Sequence, residues 1–226
     1  MKRAFILIMM GFVLGFLPGC DLDDNDSYSV ENSWIGFGLV HKTVGADNLT
    51  ILMDDGEVLY PIAGSLNELK DKERILTNFT ILGNKDNENH DEEYIVRINS
   101  YRKILYKGIL EMTPAMEDSI GNDPIKVKDR WVKNNMLNFE LQYYGGEKIH
   151  YINLVKKIGI TLSESEPIVL ELRHNENKDS QSYPLSAIVT FDLSSLKVEG
   201  KNSIAFKVVA KDFDGKDFEY SGEYKY

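Results

Sequence analysis

From residue 33 to the C-terminus the side chains alternate between apolar and polar with a period of two, and turn residues interrupt the pattern at short intervals. Successive side chains on a strand point to opposite faces, so this period describes short antiparallel strands with one face buried. It excludes a helical bundle. In the first half, strands are expected near 33–42, 48–53, 57–62, 75–83, 92–100 and 103–111. Asp54-Asp55-Gly56 joins the second to the third, because glycine accepts the positive φ that a tight hairpin requires. Ser65 to Lys70 begins with a capping residue and has Glu68 three positions on, the pattern of one short helix. These elements outline a small OB-like barrel.

Residues 112–124 break the alternation with Pro114, Gly121 and Pro124, and a domain boundary is expected there. Beyond it Leu137, Phe139, Leu141 and Tyr143 fall on one face, and Asn138, Glu140 and Gln142 on the other. Further strands are expected near 149–156, 167–173, 184–193, 202–210 and 217–225, with Gly145-Gly146 and Asp214-Gly215 as turns. The aromatic content, 12 Tyr and 10 Phe, suits pleated packing. The fold class expected is all-β, with an N-terminal OB-like barrel over 33–113 followed by an Ig-like β-sandwich over 114–226, two separate β bodies.

The N-terminus carries an address. Met1-Lys2-Arg3 is positive, and Ala4 to Leu17 is apolar or glycine but short of the roughly 20 residues a spanning helix needs. Residues 1–19 therefore read as a secretory signal peptide. Leu17-Pro18-Gly19-Cys20 resembles a lipobox, which implies cleavage before Cys20, the chain's one cysteine, and attachment of lipid to it. Acyl chains contribute about 0.8 kcal/mol per buried CH₂, so several hold a protein at a membrane without a spanning helix. Residues 20–32 form an acidic tether. Its Asp21 to Asp26 run lacks the sixth-position glycine and twelfth-position glutamate of a calcium loop. The run resembles the export signal of Bacteroidetes surface lipoproteins, which implies an outer-membrane protein facing the exterior. The formal charge is −10, and loss of the leader, with Lys2, Arg3 and no acid, leaves −12. Such a surface repels phosphate backbones and argues against nucleic-acid partners.

Several segments together carry a family resemblance. Ser33-Trp34-Ile35, Leu52 to Gly56 and Leu59-Tyr60-Pro61 are similar to the start of NigD-like lipoproteins of Bacteroidetes. Asp123-Pro124-Ile125, Asp129-Arg130-Trp131, His150 to Val155, Leu172 to Asn175 and Val189 to Leu193 resemble that family's C-terminal half. The resemblance implies an OB-like domain followed by a β-sandwich. It also brings a suggested bacteriocin-immunity role and no catalytic residues.

No constellation for catalysis stands out. His41, His90, His150 and His174 show no metal-ligand spacing, although His150 and His174, at predicted strand ends, could meet. Asp54-Asp55 is explained by its turn, and Gly36-Phe37-Gly38 sits inside a strand with no helix to cradle a phosphate. The polar run Lys85 to Glu93 reads as a solvated loop. Trp34, Trp131, Tyr143, Tyr144 and Tyr151 are candidates for a stacking surface, with Tyr143 and Tyr144 beside the glycine turn the best placed for ligand contact. Asp118-Ser119-Ile120 resembles a Bacteroidetes O-glycosylation sequon, which makes Ser119 a candidate glycan site. The chain is thus expected to be a non-enzymatic lipoprotein without metal or cofactor. Its expected partners are the membrane, through its lipid, and an envelope protein or carbohydrate ligand. An immunity-type protein is the alternative, and a glycan hydrolase has the least support.

Overall fold

The structure is a computed structural model that describes residues 33–42, 49–64, 66, 68–85, 92–158 and 166–226. The leader, Cys20, the acidic tether, His90, Ser65 and most of the 85–93 loop lie outside the described residues.

Five strands build the first body: β1 (Ser33–Lys42), β2 (Leu49–Met53), β3 (Val58–Ala63), β4 (Arg74–Asn84) and β5 (Glu93–Gly108). Their order is β3-β2-β1-β4-β5, and β3 also pairs in parallel with β5, which closes a five-stranded barrel. Val40, Ile51, Leu59, Ile75, Phe79 and Val96 fill it, each on the inward side of its strand. The Asp54-Asp55-Gly56 hairpin is present: Gly56 has φ 103° and donates its N–H to the Met53 carbonyl. Of the helix expected over 65–70, Ser65 and Asn67 lie outside the described residues, and Leu66 and residues 68–70 are not helical. Leu66 and residues 68–70 form a turn, in which the Leu69 N–H reaches the Leu66 carbonyl at 3.1 Å and Leu69 drops into the barrel core. One buried leucine needs a turn rather than a helical face.

The sandwich adds β6 (Leu110–Met112), a short α1 (Glu117–Ile120), β7 (Lys126–Lys133), β8 (Met136–Gly145), β9 (Tyr151–Lys157), β10 (Ile168–Asn175), β11 (Tyr183–Asp192), β12 (Ser203–Lys211) and β13 (Asp217–Lys225). One sheet has the order β5-β11-β8-β7 and the other β13-β12-β10-β9-β6. Between them Leu137, Phe139 and Leu141 meet Leu170, Leu172, Phe206 and Val208, and Phe139 packs edge-on against Phe191 at 6.2 Å. Each such side chain removed from water contributes roughly 1.5–3 kcal/mol.

Two expectations about the middle of the chain change. The strands expected at 92–100 and 103–111 are mainly one strand, β5, sixteen residues long. Its first part closes the barrel, and Leu105–Gly108 pairs in parallel with Val189–Asp192 of β11. The chain therefore passes from barrel to sandwich inside β5, ahead of the Pro- and Gly-rich stretch at 112–124. That stretch is a connection lying on the sandwich, where Ile120 is buried beside Met112 and Val155. The two bodies are consequently not separate: they share a strand.

Candidate functional site

The shared strand is reinforced by a buried polar junction. Arg74 on β4 is fully buried and forks onto both carboxylate oxygens of Asp54 at the β2–β3 hairpin. Its guanidinium lies 5.4 Å from the Phe37 ring, and its Nη2 lies 3.5 Å from Asn138 Oδ1 on β8. The same Asn138 oxygen accepts from Thr190 Oγ1 on β11 at 2.8 Å. Asp55 pairs with Lys133 at 2.7 Å, and Asn134 donates to the Asp54 carbonyl at 3.1 Å, so the barrel hairpin grips the β7–β8 turn. Nearby, Tyr106 donates to Asp192; burial first, then that carboxylate, push its hydroxyl up to about 12. Asp54 and Asp55 thus both hold the junction together. Beside it, a groove of about 340 Å³ is lined by Ile35, Phe37, Met53 and Trp131 among others.

The opposite end of the sandwich holds the second buried cluster. β9 and β10 are antiparallel, with His174 opposite Ile152, which brings His150 at the start of β9 to the end of β10. His150 Nδ1 lies 2.9 Å from His174 Nε2. His174 Nδ1 lies 3.1 Å from the Pro124 carbonyl oxygen, and His150 Nε2 lies 3.2 Å from Asp179 Oδ2. Only 3% of the His150 side chain and 6% of that of Asp179 are exposed. The two rings face one another at hydrogen-bond distance, so no ion fits between them. Among the described residues, no group of three or more His, Cys, Asp and Glu is placed to hold a metal.

Asp179 also accepts the backbone N–H groups of Gly146 and Lys148. The Gly146 N–H leads the contacts that hold its carboxyl well below the usual range, with His150 and the Ser180 and Lys148 N–H groups adding to it. Burial pushes the His174 ring down, and the charge of His150 adds to that against the pull of the Pro124 carbonyl, Asp123 and Glu176. Gly145 and Gly146 are required by close approach: a Cβ on Gly145 would sit 2.9 Å from His150 Nε2, and one on Gly146 would strike Ser180.

Tyr143 covers this cluster, its ring 5.0 Å from His150 and 5.1 Å from His174, and burial raises its hydroxyl pKa. It is half-buried, while Tyr144 is exposed and packs edge-on against Phe213 of the β12–β13 turn at 5.3 Å. Tyr183 is 66% exposed, Ile149 71%, and Tyr151 and Phe213 are exposed at the same end. The structure therefore places Tyr144 against Phe213 at the exposed end, and Tyr143 over the two histidines. Trp34 is exposed on β1, and Trp131 packs on Phe37 at 5.7 Å in the junction groove; neither joins that surface. His41 is exposed at the end of β1. Ser119 sits exposed on α1, its Oγ donating to the Met116 carbonyl at 2.8 Å. Asp179, Ile149, Tyr183 and Phe213 escaped sequence reasoning; only the turn at Asp214-Gly215 hinted that Phe213 stands at a tip.

These features define a class: a two-domain, all-β protein in which an OB-type barrel and a β-sandwich share one strand. The chain belongs to the NigD-like family. The NigD-like N-terminal OB domain matches residues 37–104 and the NigD-like C-terminal beta sandwich domain matches residues 108–224. Among solved structures it is similar to a protein of unknown function from Bacteroides vulgatus, at 26% identity and TM-score 0.72, over 86% of this chain and 92% of that one. It is also similar to a protein of Parabacteroides distasonis described as toxin-related, at 27% identity and TM-score 0.69, over 85% and 93%. A NigD-like immunity protein from Bacteroides caccae shares the fold at 21% identity and TM-score 0.64, over 85% and 96%. No curated protein matches the chain.

Proposed function

We propose that this chain is a non-catalytic binding protein, held by lipid on Cys20 at the outer membrane and facing the exterior, that grips a protein partner with the aromatic end of its sandwich. The observation that carries this reading is the exposed set Tyr144, Ile149, Tyr151, Tyr183 and Phe213 on a base fixed by buried hydrogen bonds. Large apolar side chains gathered on a rigid end mark contact surfaces. The aliphatic Ile149 among them favours a protein over a sugar ring, for which flat faces alone suffice. A photo-crosslinking residue in place of Tyr183 in intact cells should capture a surface protein. The Tyr144→Ser variant should lose that capture, and Cys20→Ala should release the chain from the membrane fraction. Capture from the barrel face instead, or unchanged capture by Tyr144→Ser, would refute the reading.

A second reading is an immunity-type role, in which the partner is a toxin at the envelope. It is favoured by the similar fold of a NigD-like immunity protein. Protection of sensitive cells by the intact gene, lost with Tyr144→Ser, would establish it.

A further inference from the structure

Counting protons along the buried chain from Pro124 to Asp179 fixes how many it holds. The Pro124 carbonyl can only accept, so His174 Nδ1 carries a hydrogen and a neutral His174 offers the lone pair of Nε2 to His150. Asp179, an ionised carboxylate, can only accept as well, so it calls for a hydrogen on His150 Nε2. If both rings were neutral, one contact would set two lone pairs face to face. If both were charged, two N–H groups would collide 2.9 Å apart across the ring–ring contact. One shared proton, with His150 as the imidazolium and His174 neutral, satisfies every contact.

The turn that supplies Asp179 is itself strained. Asn177 and Lys178 both lie in the left-handed region, with φ of 55° and 53°, which is costly for lysine. Lys148 Nζ donates to the carbonyl oxygens of both residues, and Asp179 ties the turn to Gly146, Lys148 and His150. The turn leads to Tyr183, and the 145–150 loop carries Ile149. We propose that His150, His174 and Asp179 form a one-proton latch that pins the 176–182 turn to the 145–150 loop, and that acid opens it. This rests on the reading of the aromatic end as the contact surface, since opening the latch would disorganise that surface.

The groups facing the two rings favour opening in acid rather than in base. From the β10 end and the segment before β7, Glu176 and Asp123 draw a proton toward His174. From β8, Tyr143 presents a ring whose hydroxyl stays neutral, and Lys148 meets the turn through its own N–H and ammonium. A second proton lands on His174 and turns the ring–ring hydrogen bond into a clash.

The test uses the full mature chain with ¹⁵N-labelled histidine, its ring signals assigned with His150→Gln and His174→Gln. At pH 7.5 one ring should be protonated on both nitrogens and the other on Nδ1 alone. Towards pH 5, after correction for intrinsic exchange, the amides of 176–182 should exchange on the order of tenfold faster. Asp179→Asn should show that fast exchange already at pH 7.5. Two neutral rings at pH 7.5, or turn protection that is indifferent to both acid and Asp179→Asn, would overturn the latch. Neither readout involves a partner, so the latch can fail while capture at position 183 succeeds, and the reverse.

Discussion

Arg74 and Asp54 form a two-pronged ion pair with the arginine side chain wholly buried and the aspartate side chain 13% exposed. A buried pair of this kind adds little over well-packed apolar residues, but losing one partner strands the other charge. Asp54→Ala should therefore destabilise the mature chain by about 3–5 kcal/mol. The double variant Arg74→Met with Asp54→Leu should regain most of that loss. Urea denaturation of the three proteins decides it, and an Asp54→Ala cost near zero would show the pair to be idle.

Asn138 extends that pair into the sandwich. Its side-chain oxygen meets Thr190 and Arg74, and its nitrogen lies 3.4 Å from the carbonyls of Trp131 and Met136. Asn138→Ala leaves the Thr190 hydroxyl and the arginine short of an acceptor, at a cost of about 1–3 kcal/mol. Gln142→Ala, four residues on along the same face and only half-buried, should stay within about 0.5 kcal/mol, as surface changes do. The same urea series compares them.

Asn138 also shows where sequence stops speaking. The alternation correctly put Leu137, Phe139 and Leu141 inside and assigned Asn138 to the outer face. That face is buried at Asn138 because the barrel covers it there, and period two reports only which side a residue takes. Local signals were legible: the Asp54-Asp55-Gly56 hairpin and the family segments; the sequence only allowed that His150 and His174 could meet. Long-range pairings were not legible. β5 crosses both bodies through residues 100–103, where one expected strand ended and the next began, and Asp179 reaches His150 across 29 positions with no local pattern to announce it.

Gly145 separates close packing from turn flexibility. An added Cβ would press on His150 and on Leu185 at 2.8 Å, so Gly145→Ala should cost about 1–3 kcal/mol through overpacking. Gly108 at the end of β5 has nothing within 4 Å of such a Cβ, and Gly108→Ala should change little. Thermal melting of the pair checks the contrast; equal losses would mean the glycine turn is not packed against the histidines.

Tyr183 offers a clean division between folding and contact. At 66% exposed it contributes little to the core. Tyr183→Ser should leave the melting temperature nearly unchanged, within about 0.5 kcal/mol of stability, while weakening partner capture monitored from a crosslinker at position 149. A large loss of stability would mean the side chain is structural and the surface smaller than described.

The buried relay also sets how global stability should vary with pH. An unfolded His174 takes up a proton near the ordinary value of about 6.5, while burial and its charged neighbour hold the folded ring lower. Between those values the unfolded chain binds more protons, so acid favours unfolding: the contribution is complete above the unfolded value and is lost as pH falls through it toward the folded one. Asp179 acts in the same direction further down. Its folded carboxyl is held low by the Gly146 N–H and its other partners, so its contribution is whole above the unfolded value of about 3.9 and is lost below it. Urea midpoints at constant ionic strength should decline in two stages as the pH falls below about 6.5. His174→Gln should remove the upper stage and spare the lower one, and Asp179→Asn should remove the lower. If His174→Gln leaves the slope between pH 6.5 and 5 unaltered, the histidine is not the group that titrates, and the carboxylates facing it, Asp123 and Glu176, become the next to substitute.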